Sequence, residues 1–240
     1  MMRCSAGLLA LLLLLPPTLL AADARQWKMV SDRDGIQVYS AHTDDSRIKT
    51  FRGITVIELD DFYTPIAVLD NDEYLTRWLY MIHDLHEIGR RSPVDRDYYV
   101  LTKLPWPVAD RDAGLLFTVA QDPQTHEIQI VFTARDGIVP RTDKYIRIPE
   151  MIGHFNVLPV GGKKVRLNFE VQIDLGGYIP AFLVNFILKD IPYVSLQRLR
   201  RIINTDVFKG RPVDYIKAPP PWATAEPMVQ QAPPPAGQKP

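Results

Sequence analysis

The chain has 240 residues, and its 28 Lys and Arg balance 28 Asp and Glu, so the formal net charge at pH 7 is zero. A phosphate-binding surface needs an excess of positive side chains, which argues against nucleic acid as the main partner. The single cysteine, Cys4, excludes a disulfide framework and any multi-cysteine metal site. With 46% hydrophobic residues, we expect a globular protein of one large or two small domains.

Residues 1–24 have the features of an export signal. Arg3 precedes an apolar run over residues 6–15, which two prolines end. The run is shorter than the ~20 apolar residues that cross a bilayer. Ala22-Asp23-Ala24 has the pattern of a cleavage site. We therefore expect cleavage after Ala24 or Ala22 and export, to the periplasm if the cell is bacterial; an uncleaved anchor is the alternative.

The C-terminal residues 218–240 are rich in proline and poor in apolar side chains. Such a segment cannot bury enough surface to order itself, so we expect a flexible proline-rich tail. A ligand for a proline-recognition module is the alternative. The folded domain is then expected over residues 25–217.

Alternating apolar and polar residues predict several long antiparallel strands. The strongest alternation runs over residues 164–175, where Val165, Leu167, Phe169 and every second residue after them are apolar. Successive strand side chains point to opposite faces, so this strand should bury one face and expose the other. The same period occurs at 50–58, 81–90, 98–104 and 127–132. Gly161-Gly162 predicts a tight hairpin.

Helices are fewer. Residues 62–69 and 72–79 are short helical candidates, and one long amphipathic helix is expected from 181 to about 208, after Pro180. Pro192 should bend that helix near Ile191. This bend could be a hinge, or it could merely curve the helix around the sheet.

These elements predict an α+β fold in which a curved antiparallel sheet wraps around the late helix, because no second sheet is available to cover its apolar face. Periodicity leaves open whether the interior is filled by side chains or contains an apolar hollow.

Three segments, in order, resemble the START family, the steroidogenic acute regulatory protein-related lipid-transfer domains. They are DGIQVY and KTFRG within residues 27–53, PWPVADRD at 105–112 and GGYIPAFLVN at 176–185. The resemblance covers roughly residues 27–210. It implies the helix-grip fold, an incomplete antiparallel barrel that grips a long C-terminal helix around a lipid-sized tunnel.

The resemblance further implies a protein that binds one hydrophobic lipid and carries it through water without covalent chemistry, with a transient contact to the membrane surface. Arg111 and Asp112 match an Arg-Asp pair that we interpret as structural, and Trp106 would lie near the entrance. The ligand-binding residues that this implies, together with the apolar strand and helix faces, are expected to be Tyr98, Trp106, Phe117, Phe132, Phe155, Leu167, Phe169, Val171, Leu183, Phe186 and Ile187.

One departure from the family bears on the ligand. Some sterol-binding members carry a buried charged pair where this chain has Tyr98 and Phe117. Without that pair, the sterol assignment is weaker, and a phospholipid or another lipid is equally open.

No catalytic residue, metal or cofactor is expected. The sequence has no Gly-x-Ser-x-Gly, P-loop or dinucleotide-binding motif. His83 and His86 are three residues apart, which on a strand places them on opposite faces, so a shared metal ion is not favoured. We expect a monomer. Two alternatives remain: an enzyme of the same fold, such as a cyclase or hydrolase, that acts on an apolar substrate, and a lipid sensor or adaptor that signals through the proline-rich tail.

Overall fold

The structure is a computed structural model that describes residues 25–42, 49–211 and 213–222. The sequence predictions for the export signal and for residues 223–240 fall outside these residues. The described part contains ten strands: β1 (Trp27–Arg33), β2 (Ile36–Ala41), β3 (Thr50–Glu58), β4 (Ile82–Ser92), β5 (Asp95–Thr102), β6 (Arg111–Gln121), β7 (Ile128–Ala134), β8 (Ile146–Arg147), β9 (Glu150–Gly161) and β10 (Lys164–Asp174). Its helices are α1 (Thr64–Leu69), α2 (Asp72–Trp78), α3 (Ala181–Leu188) and α4 (Ile191–Ile203), followed by a 3-10 turn over Asp206–Phe208.

Nine strands form one antiparallel sheet in the order β1-β2-β3-β10-β9-β7-β6-β5-β4, and the short β8 pairs in parallel with β6. The helices cover its concave face, and α4 packs against β2, β3 and β10. The predicted α+β architecture, a curved antiparallel sheet around a C-terminal helix, is therefore confirmed. No helix in the described ranges is long and apolar enough to cross a bilayer.

The strongest predicted strand is confirmed as β10, and the hairpin from β9 turns at Gly161 and Gly162 with φ of +98° and +57°. The inner side chains of β10 are buried as the alternation predicts. Its outer face departs from the prediction at Glu170, which is 5% exposed. Arg25 and Arg52 cover this carboxylate, with N–O distances of 2.8 and 2.5 Å.

Two glycines allow close packing on the concave face. A Cβ at Gly53 would lie 2.8 Å from side-chain atoms of Pro192 and Leu196, so this glycine lets α4 approach β3. A Cβ at Gly153 would lie 1.9 Å from the Phe132 ring. The absence of a side chain there lets the tip of the Phe132 ring occupy the space that a Cβ on β9 would fill.

The single long helix expected after Pro180 is wrong in one respect, because it is two helices. The two helices are separated only by Lys189 and Asp190, whose backbone angles stay in the right-handed helical region, and Pro192 lies in the first turn of α4. Proline is tolerated there because the first-turn N–H groups have no partner within the helix. The bend expected near Ile191 thus corresponds to an interruption of the helix at Lys189 and Asp190, directly before Ile191.

The packed domain extends beyond the boundary predicted at residue 217. The indole N–H of Trp222 donates to the carbonyl of Leu59 over 2.8 Å, and the Trp222 ring lies 5.3 Å from that of Phe62. Packing contacts therefore continue past residue 217 as far as Trp222, a single large aromatic side chain within the proline-rich segment.

Candidate functional site: an apolar cavity beneath the C-terminal helices

A cavity of about 80 Å³ lies between the concave face of the sheet and the helices. Alternate residues of neighbouring strands form its wall, as on β5, where Tyr98, Val100 and Thr102 share one face. The helices close the other side with side chains that include Leu75, Trp78, Leu188 and Ile191. The cavity therefore follows from the strand alternation combined with the apolar stripe of each helix.

The chemistry of this wall is almost entirely apolar. None of the lining residues in the described part of the chain is acidic, basic or a histidine. Side-chain polarity is confined to the hydroxyls of Tyr80, Tyr98 and Thr102 and the indole N–H of Trp78. Such a wall favours a hydrophobic guest and disfavours a charged one.

The volume of the cavity limits what it holds without rearrangement. Binding sites for small molecules have typical volumes of ~300 to 1,000 Å³, whereas this cavity has about 80 Å³. Entry of a whole lipid therefore requires wall side chains or a covering helix to move outward.

Aromatic rings form the middle of the wall. The Trp78 ring lies 5.6 Å from Phe155 and 5.8 Å from Phe169, and Phe132 lies 6.2 Å from Phe169. Their tilted and edge-to-face arrangements are those that aromatic pairs prefer. The cluster joins α2 to β7, β9 and β10 and presents a rigid apolar surface.

A buried polar network lies behind Tyr98. Arg96 is 1% exposed, and its guanidinium donates to Asp70 over 2.8 Å and contacts the Tyr98 hydroxyl at 3.5 Å. The Tyr215 hydroxyl donates to the same Asp70 carboxylate over 2.7 Å. Burial raises the pKa of Tyr98 to about 12, so this wall residue is neutral at physiological pH. Asp70 balances the charge of Arg96.

A surface depression adjoins the cavity and shares Tyr80, Met81, Ile82 and Leu104 with its wall. Lys103 and Arg198 lie in the same depression, and the Arg198 guanidinium lies 5.3 Å from the centre of the Tyr80 ring. This depression is the candidate mouth of the cavity, and its outer part carries positive charge.

Large exposed aromatic side chains lie on the segments that lead into and form α3. Tyr178 is fully exposed, and Phe182 and Phe186 are 75% and 62% exposed. Trp106, on the loop between β5 and β6, is 93% exposed. We call Trp106, Tyr178, Phe182 and Phe186 the aromatic surface.

Arg111 holds the two segments of the aromatic surface at one end of the sheet. Its guanidinium donates to the carbonyls of Ala109, Leu175 (3.1 Å) and Gly176 (3.3 Å). The neighbouring Asp112 accepts two hydrogen bonds of 2.9 Å from Arg147. Both residues are buried and bonded within the fold, in agreement with the structural role expected of this pair.

The structure brings some of the expected wall residues together and separates others. Six line the cavity: Tyr98, Phe117, Phe132, Phe155, Phe169 and Val171. Leu167 and Ile187 are buried outside the wall, and Leu183 is half-buried. Trp106 and Phe186 do not line the cavity and are exposed. Leu188 and Ile191 are the residues of the C-terminal helices that line it.

Sequence reasoning missed the contribution of α2 to the wall. Leu75, Trp78 and Leu79 all line the cavity. Their spacing of three and four residues on a predicted helix was the available signal, because it places them on one face.

No group of three His, Cys, Asp or Glu side chains with metal-binding geometry occurs in the described segments. His86 Nδ1 lies 3.2 Å from Asp84 Oδ1 at the exposed surface.

Comparisons with known proteins agree with this geometry. No family model matches the chain. An uncharacterized protein of Pseudomonas aeruginosa is 27% identical over 179 residues, which cover 75% of this chain and 87% of that protein. A STAR-related lipid transfer protein from Xanthomonas axonopodis superimposes with a TM-score of 0.68 at 23% identity, over 75% of this chain and 99% of that chain.

Two human structures are also similar. STARD10 gives a TM-score of 0.65 at 17% identity, over 74% of this chain and 72% of that one. StAR-related lipid transfer protein 5 gives 0.63 at 16% identity, over 74% and 86%. These likenesses show that the chain has the fold of START domains.

Proposed function

We propose that this START-like domain binds one hydrophobic lipid in its apolar cavity and carries it through water between membranes. The observation that carries the proposal is a wall without a charged side chain, covered by the two helices that follow β10. The similar solved structures from Xanthomonas axonopodis and human are described as lipid transfer proteins, which supports the same role here.

The energetics of such a wall support lipid binding. Burial of apolar surface is favourable by ~25 cal/mol per Å². A lipid that buries several hundred Å² would gain on the order of 10 kcal/mol, and the loss of its freedom of motion offsets part of this. The balance permits tight binding that a membrane, itself an apolar solvent, can reverse.

We further propose that the domain performs no covalent chemistry. Acid–base catalysis needs a group whose pKa lies near the working pH. The titratable groups of the described wall are tyrosines, and the pKa of Tyr98 is raised to about 12 by burial. A cyclase or hydrolase acting in this cavity would therefore lack a base poised at neutral pH.

The partners and location that we propose are a membrane surface and an exported compartment. The aromatic surface next to α3 supports a transient membrane contact, while the zero formal charge supports the absence of a nucleic-acid partner. We propose a monomer that is exported, with residues 1–24 removed. N-terminal sequencing of the mature protein tests the cleavage after Ala24 or Ala22.

Transfer of fluorescent lipids of two classes, a phospholipid and an uncharged lipid ester, between two vesicle populations tests the function. Val171 lines the cavity at the centre of β10, and Arg166 is exposed on the opposite face of the same strand. We expect Val171→Phe to lower the transfer rate at least about tenfold, because the added ring occupies space in a small cavity. Arg166→Phe, which adds the same ring outside, should transfer at the rate of the unmodified protein.

Equal rates for both variants would contradict the assignment of the cavity. A native protein that transfers no lipid and retains none after purification would contradict the proposed function itself.

A further inference from the structure

We propose that the indole N–H of Trp78 is the polar anchor of the cavity and that the ligand is an uncharged lipid with a hydrogen-bond acceptor, such as an ester or ketone carbonyl, within its apolar body. This inference rests on the proposed function, and it names the chemical class of molecule that the cavity takes.

The first observation is an unsatisfied donor in the wall. Trp78 is 2% exposed, lines the cavity, and its Nε1–H has no hydrogen-bond partner within the described residues. An indole N–H only donates and cannot serve as an acceptor. Buried Trp N–H groups usually find an acceptor, so an unpaired one on a residue that lines a binding site is suited to an acceptor on the ligand.

The surroundings of Trp78 supply no such acceptor. Its ring packs against the rings of Phe155 and Phe169, with centroids 5.6 and 5.8 Å away. A contact of an N–H group with an aromatic face is a weak hydrogen bond and does not replace a carbonyl oxygen. A ligand that enters this space and carries a carbonyl gains a hydrogen bond that a pure hydrocarbon does not.

The charges near the cavity exclude an ionised group inside it. No described wall residue carries a charge. Arg96, behind Tyr98, already contacts Asp70 over 2.8 Å and the carbonyl of Pro93 over 2.7 Å. A carboxylate or phosphate near Trp78 would therefore be desolvated without a free cation to balance it. The acceptor is thus uncharged.

The other polar groups of the wall discriminate less between ligands that donate and ligands that accept a hydrogen bond. The hydroxyls of Tyr80, Tyr98 and Thr102 can donate or accept and so suit either kind of ligand. Trp78 is the donor-only group of the described wall, which makes it the residue that selects a ligand with a hydrogen-bond acceptor.

NMR of the full-length protein labelled with ¹⁵N at the indole nitrogen of tryptophan tests the proposal. The sequence has four tryptophans, and loss of one signal in Trp78→Phe assigns the resonance. The probes are methyl dodecanoate, tetradecane and dodecanoate. We expect the Trp78 indole proton to move downfield with the ester but not with the alkane, and dodecanoate to bind more weakly than the ester.

The affinity ratio of ester to alkane gives a second readout. We expect Trp78→Phe to lower this ratio about fivefold, the size of one net hydrogen bond. Replacement of Trp78 by benzothienylalanine, in which sulfur takes the place of the N–H group, should lower it equally while keeping the ring size. This second variant separates the hydrogen bond from any change in packing.

Binding of all three probes with equal affinity and no indole shift would overturn the anchor while leaving the proposed lipid function intact. Dodecanoate binding as tightly as the ester would overturn the uncharged class. Failure of every probe and of every vesicle lipid to bind would overturn both proposals together.

Discussion

At the scale of the residue, a strand pattern predicts the orientation of some side chains around the cavity and does not predict the burial of others. The alternation in β10 placed Phe169 and Val171 on one apolar face, and both line the cavity. It could not reveal that Glu170, on the opposite face, is buried under Arg25 and Arg52. A period of two reports which face a residue is on, but ion pairing with residues that are distant in the sequence decides whether that face meets water.

Trp78 and Phe186 show the same limit on helices. Both are aromatic residues on apolar stretches, yet Trp78 is buried in the wall and Phe186 is exposed. Their orientation depends on where each helix begins and ends, and sequence patterns fix those boundaries only within a few residues.

The neutral state of Tyr98 gives a prediction for alkaline pH. Burial raises its pKa from 10.0 to about 12 in the folded protein. The contribution of neutral Tyr98 to the free energy of unfolding is complete below pH 10. It is lost as the pH rises toward the pKa of Tyr98 in the folded protein, because this tyrosine ionises first in the unfolded chain. We expect Tyr98 to account for a loss of roughly 2 to 3 kcal/mol in the free energy of unfolding over this interval.

Denaturant titrations measure this effect when they are carried out at several pH values between about 9 and 12 and compared between variants. Tyr98→Phe should flatten the decline. Tyr178→Phe, which changes a fully exposed ring, should leave it unchanged. An identical decline in both variants would show that Tyr98 is not the group that titrates.

At the scale of the element, the sequence predicted most of the long strands but missed one that lies between two predicted strands in the sheet. Residues 50–58 form β3 as expected, and β4, β5, β7 and β10 lie where alternation was found. The alternation pattern predicts no strand at β6, which begins with Arg111 and Asp112. Buried charges and Gly114 interrupt the alternation there, and only the carbonyls and ion pairs of the fold compensate for their burial.

The aromatic surface of α3 predicts membrane attachment. Phe182 and Phe186 are exposed, and Lys189 lies 4.3 Å from the Phe186 ring. Insertion of two phenylalanine rings into the interface is favourable by several kcal/mol. We expect the double variant Phe182→Ser, Phe186→Ser to bind phosphatidylcholine vesicles at least about tenfold more weakly in a flotation assay.

Val56 provides the matched control. It is 51% exposed on β3 and pairs with Arg166, near the end of β10 opposite to α3. Val56→Ser should float with vesicles as the unmodified protein does. Equal weakening by both changes would mean that membrane contact is not localised at α3.

At the scale of the whole molecule, the sequence predicted the wrapped sheet because one apolar face and one late apolar helix leave few other arrangements. It could not predict how much space remains inside. That quantity depends on how side chains such as Phe132 across Gly153 fill the interior. The resulting cavity of about 80 Å³ implies that the molecule must open to admit a lipid.

We expect α3 to be the element that opens. α4 is anchored on β2, β3, β10, α1 and α2, whereas α3 is buried only through Val184, Ile187 and Leu188. The Lys49 backbone N–H donates to Asn185 Oδ1 over 3.2 Å, which brings α3 next to β3. A disulfide between Lys49→Cys and Asn185→Cys would fix this contact.

We expect the oxidised double variant to take up lipid from vesicles at least about tenfold more slowly than after reduction, because the displacement of α3 is blocked. Each single-cysteine variant should be insensitive to the reductant. Uptake that is equally fast in the oxidised and reduced forms would show that α3 does not open the cavity.

The most direct measurement is native mass spectrometry, with lipid extraction, of the protein purified from the cells that produce it. The account predicts one lipid molecule per polypeptide and release of an uncharged, ester- or ketone-bearing species into the organic phase. A spectrum of the bare polypeptide, from a preparation that also moves no lipid between vesicles, would contradict it.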